Sequence, residues 1–141
     1  MTSIAVEIST EASPSVVWDA IRDIGALHTR LVPGFVVATE LVPGGRRVTF
    51  GNGKVVVEPI VSLNDDLRRL VWTAQGGLPG LAHYNGAVQV YPREIGGSRV
   101  VWMADVLPDE AAAPIGAMMR EGAIAMNTAF TRLAKASASS K

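Results

Sequence analysis

One long amphipathic helix at the end of the chain constrains the fold more than any other feature. A break marked by Pro and Ala follows Leu107, and beyond it apolar residues recur every three or four positions, as expected when one helical face is buried. The apolar stripe consists of Ile115, Met119, Gly122, Ala123, Met126, Phe130 and Leu133. The segment 36–106 has instead the pattern of strands and tight turns. A curved antiparallel sheet wrapped around the helix would cover the stripe.

The residues before this helix predict a strand, two short helices and six further strands. Residues 3–9 alternate between apolar and polar, which is typical of a half-buried strand. Ser13 and Pro14 mark the start of a helix that Gly25 ends, and a second helical turn covers residues 26–31. The later strands, each bounded by turn residues, are predicted at 35–42, 46–50, 54–63, 68–75, 83–92 and 99–107.

These elements predict an α+β fold in which a curved seven-stranded antiparallel sheet wraps around a long C-terminal helix. The 141 residues suffice for one domain with a real core. We expect this domain to span residues 1–135, with a disordered tail at residues 136–141 because those side chains are small or polar.

Composition and charge exclude several classes of function. The chain has no cysteine, and its two histidines, His28 and His83, lie too far apart for a metal-ligand motif, so we predict neither a metal nor a cofactor. The formal net charge is zero and Lys and Arg are scattered, which argues against nucleic acid as a partner. No signal peptide and no apolar run of about twenty residues is found, so we expect a cytoplasmic protein without a membrane span.

Three short segments carry a resemblance to a known superfamily. They are residues 14–18 at the start of the first helix, residues 105–108 at the end of the last strand, and Gly76-Gly77 before residues 81–84. Together with the element order, they resemble the helix-grip fold of birch-pollen allergens, START lipid-transfer domains, bacterial polyketide cyclase/dehydrase-like proteins and plant abscisic-acid receptors. Because members of this superfamily include carriers, receptors and cyclases, the fold alone does not determine the function.

The resemblance also implies a mouth formed by two loops. Their counterparts are residues 51–53 and 76–81, both rich in glycine. The first loop lacks the Leu-Pro pair of the receptors, and an ordinary hairpin turn is an equal interpretation of it. The apolar Leu78 and Leu81 favour a mouth for the second loop.

Strand alternation predicts which side chains face the hollow between sheet and helix. If Trp72 faces inward, Leu70 and Ala74 do so as well. The same reasoning turns further residues inward, namely Val56, Glu58 and Ile60; Tyr84, Gly86, Val88 and Val90; and Val101, Met103, Asp105 and Leu107. Trp102 would then face outward, where it favours an interface, so a homodimer is one expectation.

The resemblance adds Arg30 and Asn127 to the polar residues of the hollow. Arg30 falls near the cationic residue that faces the ligand carboxylate in the abscisic-acid receptors, and Asn127, Glu58 and Tyr84 fall near other pocket positions. An inward Glu58 or Asp105 is costly unless paired, with Arg30 or a tyrosine hydroxyl as the expected partner. The alternatives are a surface ion pair for Asp105 and a sheet-edge position for Glu58.

Two functions remain open. The first is binding of a small hydrophobic ligand, a lipid, polyketide or aromatic metabolite, between sheet and helix. The predicted ligand-binding residues are Arg30, Val56, Glu58, Trp72, Tyr84, Val101, Met103, Asp105, Leu107, Met119, Met126, Asn127 and Phe130. The alternative is a polyketide cyclase or dehydratase with Glu58, Asp105 or Tyr84 as catalytic candidates. A protein-interaction module, a third class, would show little cavity and a large exposed apolar surface.

Overall fold

A computed structural model describes residues 1–76 and 80–139. Seven strands and two α-helices follow one another in the predicted order, with bounds that differ from the predicted ones by a few residues. The strands are β1 (Thr2–Thr10), β2 (Val36–Val42), β3 (Gly45–Phe50), β4 (Val55–Asn64), β5 (Arg69–Thr73), β6 (His83–Pro92) and β7 (Ser98–Leu107). The helices are α1 (Pro14–Arg22) and α2 (Ala112–Ser139), with short helical turns at Ile24–Ala26, Leu27–Leu31 and Asp109–Ala111.

The strands form one antiparallel sheet in the order β1-β7-β6-β5-β4-β3-β2. The short helices lie between β1 and β2 in the chain, and Ser13 caps α1 by accepting a hydrogen bond from the backbone N–H of Val16. This arrangement confirms the predicted helix-grip fold. Within the described ranges, no helix is long and apolar enough to cross a membrane.

The core lies between the sheet and the apolar stripe of α2. Met119 and Phe130 are fully buried there, and the rest of the stripe is buried except Leu133, which is half-buried. The helix continues to Ser139, past residue 135, the predicted end of the domain. Residues 140–141 of the expected tail lie outside the described residues. Residues 77–79 of the predicted second mouth loop, including Leu78, also lie outside them.

The predicted orientation of β7 is wrong. The residues that face the core are Val100, Trp102, Ala104 and Val106, whereas Val101, Met103, Asp105 and Leu107 lie on the other face of the sheet. Met103 is 43% exposed, and the buried Trp102 contributes nothing to a dimer surface. Residues 100–104 are all apolar, so their alternation is ambiguous. Pairing with β1 fixes the orientation, because Val6 lies opposite Trp102 and directly opposed residues share a face.

Candidate functional site

A small cavity lies between the sheet and α2, which we call the inner cavity. Its volume is about 50 Å³. It is lined by Leu27, Leu31, Val32, Phe35, Val36, Arg46, Phe50, Glu58, Leu70, Trp72, Tyr84, Val88, Trp102, Met118 and Met126. This is room for a few water molecules, whereas pockets for drug-sized ligands usually enclose roughly 300–1,000 Å³. The interior is therefore largely filled by side chains. The small gap that remains is bordered by the polar side chains of Arg46, Glu58 and Tyr84.

Arg46 and Glu58 form a buried ion pair in the wall of the inner cavity. They lie directly opposite each other on β3 and β4, and Arg46 Nε donates to Glu58 Oε1 at 2.8 Å. Their side chains are only 4% and 10% exposed. Arg46 Nη1 also donates to the carbonyl oxygen of Ile24 at 3.3 Å, and its guanidinium carbon lies 5.8 Å from the centroid of the Trp72 ring. Burial raises the pKa of Glu58, while the charge and hydrogen bond of Arg46 act in the opposite direction.

Gly45 allows the two strands that carry this pair to approach closely. A Cβ atom on Gly45 would lie 2.3 Å from the backbone carbonyl oxygen of Glu58, which no side chain can tolerate. Any other residue at position 45 would push β3 away from β4. The glycine therefore helps to place Arg46 beside Glu58.

Three polar aromatic residues on adjacent strands complete the wall. Trp72 lies on β5, Tyr84 on β6 and Trp102 on β7, and all three are buried. The two indole N–H groups lie near the Tyr84 hydroxyl, but neither makes a hydrogen bond of good geometry with a described residue. Burial raises the pKa of Tyr84, the negative charge of Glu58 raises it further, and the nearby indole N–H groups and Arg46 act in the opposite direction. Tyr84 therefore remains a neutral hydroxyl at physiological pH.

Two glycines provide the space that the indole rings occupy. Gly86 lies opposite Trp72 in the sheet, and a Cβ atom there would lie 2.6 to 2.9 Å from three atoms of the Trp72 indole, Nε1 among them. On α2, a Cβ atom on Gly122 would lie 2.9 Å from Cη2 and Cζ3 of Trp102. Because the two glycines lack side chains, the indole rings can approach the backbone closely at positions 86 and 122.

A larger cleft of about 640 Å³ opens next to the inner cavity, and we call it the outer cleft. Its walls are Gly34, Phe35, Phe50, Gly51, Asn52, Lys54, Val56, Pro114, Ile115, Ala117, Met118 and Glu121. Phe35, Phe50 and Met118 line both spaces and so form the partition between them. The two phenylalanine rings pack edge to face, with centroids 5.5 Å apart. The first predicted mouth loop contributes Gly51 and Asn52, so it does border an opening.

The structure brings only some of the predicted ligand-binding residues together. Glu58, Trp72, Tyr84 and Met126 line the inner cavity, and Val56 lines the outer cleft. Met119 and Phe130 are buried in the core without lining either space. As the orientation of β7 requires, Val101, Met103, Asp105 and Leu107 line neither space.

Arg30 and Asp105 make contacts away from the cavity. Arg30 donates to the carboxylates of Asp19 at 2.8 Å and Asp23 at 3.0 Å, and these hydrogen bonds raise its pKa. It lies on a helical turn whose buried residues point to the core, which leaves Arg30 on the solvent side. Asp105 accepts a hydrogen bond from the Ser3 hydroxyl on β1.

Asn127 and the two histidines also lie away from the inner cavity. Asn127 is exposed on α2 beside the end of β1. His83 is exposed, and His28 shares a hydrogen bond of 3.0 Å with the Thr39 hydroxyl. Across residues 1–76 and 80–139, no group of three or more His, Cys, Asp or Glu side chains is arranged to hold a metal ion.

The predicted ligand-binding residues leave out several that line the site, among them Arg46, Phe35, Phe50 and Trp102. Alternation along β3 places Arg46, Val48 and Phe50 on one face, so the pattern already used for the other strands would have found the cation. Phe35 is the first residue of the strand predicted at 35–42, but in the structure it lies in the connection before β2. Its role depends on how that connection packs against α2.

Comparisons with known proteins agree with this geometry. Residues 1–138 match the model of the family described as polyketide cyclase / dehydrase and lipid transport. Protein XoxI from Bacillus cereus has a TM-score of 0.82 at 20% identity, covering 92% of this chain and 96% of that one. The Zhui aromatase/cyclase from Streptomyces sp. R1128 has a TM-score of 0.77 at 15% identity, covering 95% and 93% of the two chains.

A START superfamily protein from Mycobacterium smegmatis has a TM-score of 0.74 at 12% identity, with 91% of this chain and 96% of that one covered. These likenesses establish the shared fold. A search of curated protein sequences finds no significant match. The family match extends over nearly the whole chain, and so the protein belongs to the polyketide cyclase / dehydrase and lipid transport family.

Proposed function

We propose that the protein binds a small, mainly apolar molecule in the outer cleft, with one end of that molecule reaching the inner cavity. The observation that carries the proposal is that Phe35, Phe50 and Met118 line both spaces. The outer cleft of about 640 Å³ therefore lies directly against the buried polar side chains of the inner cavity. Such a pairing of apolar wall and a few convergent polar groups is typical of small-molecule sites. The family description, which includes lipid transport, agrees with it.

In this proposal the apolar walls provide the affinity for the ligand, and the polar side chains of the inner cavity orient it. Each Å² of apolar ligand surface removed from water is worth about 25 cal/mol. The three partition side chains are half-buried, so they have room to move aside without emptying the core. Met118 in particular has a flexible side chain that adapts to differently shaped ligands.

A cyclase-type enzyme is the second candidate, and the position of Glu58 is what favours it. Burial raises the pKa of this carboxyl, which brings it closer to the range where a group exchanges protons at neutral pH. Tyr84 lies close enough for the charge of Glu58 to affect its pKa. The ion pair with Arg46, however, engages Glu58 in the state described here, which is why binding is our first proposal.

Filling the cleft with a bulky side chain tests the binding proposal. Ala117 is exposed and lines the outer cleft, so Ala117→Trp would occupy the cleft without disturbing the core. Ile124, also on α2 and 72% exposed, lies outside both spaces, and Ile124→Trp is the matched control. With the neutral fluorescent probe 1-aminoanthracene, we expect Ala117→Trp to weaken binding at least about tenfold and Ile124→Trp to leave it unchanged. Equal affinity of the two variants, or no binding by the unmodified protein, would refute the proposal.

A further inference from the structure

We infer that the outer face of the sheet, the one directed away from α2, is a docking surface for a second copy of this chain. None of the residues that form the surface lines the inner cavity or the outer cleft. The inference is therefore independent of the proposed binding function, and a test of one does not decide the other. The dimer is two-fold symmetric, with the two sheets packed face to face.

The first argument is an apolar row that crosses the outer face. This face of an antiparallel sheet is normally in contact with water, and its side chains are then mostly polar. Here one row of directly opposed residues, which we call the outer row, consists of Ser62 on β4, Val71 on β5, Ala87 on β6, Met103 on β7 and Ala5 on β1. The row carries no charge, and Met103 at its centre is 43% exposed.

Polar side chains border the outer row on both sides. On one side the next residues of the outer face, which form the first rim, are Asn64, Arg69, Gln89, Val101 and Glu7. On the other side the second rim consists of Thr73, Asn85, Asp105 and Ser3. Only Val101 among these nine is apolar. An apolar centre within a polar rim is the usual anatomy of a protein–protein interface.

The second argument is that this surface complements itself. A two-fold axis along the outer row places each of its residues opposite the same residue of the second copy. The axis is perpendicular to the strands, so the strands of the two sheets stay aligned, as they do in many sheet-on-sheet packings. The same operation places the first rim of each copy against the second rim of the other.

The charges of the two rims agree with this symmetry. In the first rim Glu7 is neutralised by Arg99 at 2.8 Å, while Arg69 makes no ion pair within the described ranges. The second rim carries the carboxylate of Asp105, which accepts a hydrogen bond from Ser3 but likewise has no cationic partner there. The two-fold axis thus brings an excess positive rim against a negative one. Complementarity of this kind favours a second copy of the chain as the partner.

The third argument is area. Strands lie about 4.8 Å apart and successive residues on one face about 6.8 Å apart, so five strands and three rows cover roughly 480 Å² of each copy. The two copies would together bury about 1,000 Å², which is at the lower limit for a specific interface. We therefore expect a weak dimer that forms at high protein concentration.

Cross-linking tests the position of the axis. The chain has no cysteine, so a single introduced cysteine reports only on its own surroundings. Met103→Cys places two thiols opposite each other between sheets about 10 Å apart, within reach of the short cross-linker bismaleimidoethane. The control is Ile124→Cys on α2, where the side chain is 72% exposed. We expect at least about fivefold more cross-linked dimer from Met103→Cys, because thiols held in one complex have a high effective concentration.

Sedimentation equilibrium measures the association itself. With a dissociation constant in the micromolar range, the unmodified protein should change from mostly monomer at about 10 µM to mostly dimer at about 1 mM. Met103→Glu places two carboxylates together at the axis and should weaken the dimer at least about tenfold, whereas Ile124→Glu should leave it unchanged. Far-UV circular dichroism checks that both variants are folded.

Three outcomes would overturn the inference. A monomer at all concentrations up to about 1 mM would mean that the outer row faces solvent or a different protein. Equal cross-linking of the two cysteine variants would show that position 103 does not lie near the axis. A dimer that persists undiminished in folded Met103→Glu would show that the two copies associate through another surface.

Discussion

Removing one charge from the buried ion pair should destabilise the protein strongly. At the observed separation of 2.8 Å, two unit charges attract by about 6 kcal/mol at an effective dielectric constant of 20. Most of this attraction offsets the desolvation of the two groups, but deleting one partner leaves the other charge buried alone, at a cost of about 3–5 kcal/mol. In Glu58→Gln the amide oxygen still accepts one hydrogen bond from Arg46, so we expect about 3 kcal/mol. Domains of this size are stabilised by only about 5–15 kcal/mol.

Equilibrium unfolding in urea measures this loss. With a slope of about 2 kcal/mol per M, a loss of about 3 kcal/mol lowers the urea midpoint by about 1.5 M. The control is Glu7→Gln, because Glu7 and Arg99 form a pair of the same 2.8 Å separation whose side chains are 56% and 44% exposed. An exposed pair is worth about 0–1 kcal/mol, so the control midpoint should hardly move. Equal shifts in the two variants would show that burial of the Arg46–Glu58 pair has no energetic weight.

The companion variant Arg46→Met should make stability depend on pH. Burial raises the pKa of Glu58 in the folded state, and Arg46 is the source of both effects that lower it, so the substitution raises that pKa further. A carboxyl whose folded-state pKa exceeds its unfolded value of about 4.3 contributes stability below that value and loses it as pH rises through the folded pKa. We therefore expect the difference in unfolding free energy between Arg46→Met and the unmodified protein to grow from pH 4.5 to pH 8. A constant difference over this range contradicts the reasoning.

Three further predictions follow from packing. Phe130 is fully buried against the sheet, so Phe130→Ala should lower the unfolding free energy by about 3–5 kcal/mol in urea, and a loss below 1 kcal/mol would contradict its place in the core. Gly86→Ala forces a methyl group into the Trp72 ring and should cost about 1–3 kcal/mol, with a blue or red shift of tryptophan emission; unchanged stability and emission would mean that the ring is not held there. Asp105→Asn should leave 1-aminoanthracene affinity unchanged by titration, because Asp105 lies outside both spaces; weaker binding would return this residue to the site.

The sequence predicts those parts of the fold that depend on one strong local pattern. The stripe of α2 has a single plausible buried face, and β1 alternates between Ile4, Val6 and Ile8 on one side and polar or small residues on the other. Both predictions are confirmed by burial. In β7 the pattern fails, because a run of apolar residues on both faces leaves two orientations open. The pairing with β1 and β6, strands distant in sequence or joined by a turn, selects one of them.

The cation of the site illustrates the same difference between local and long-range information. Resemblance in chain position predicts Arg30 in the site, yet two carboxylates, Asp19 and Asp23, lie close enough to hold it at the surface. Arg46 lies on a strand where alternation alone places it inward, next to Val48 on the same face. A buried arginine is tolerated here because the carboxylate of Glu58 lies opposite it. That partner can be identified only when β3 and β4 are aligned.

Two polar elements of the inner cavity therefore depend on residues that face each other across neighbouring strands. Arg46 lies opposite Glu58, and Trp72 lies opposite the small Gly86 that makes room for its ring. A change of register by one residue would separate both pairs and turn the side chains to the other face. The strand register is thus the physical link between this sequence and its site, since it determines which polar groups are buried beside each other.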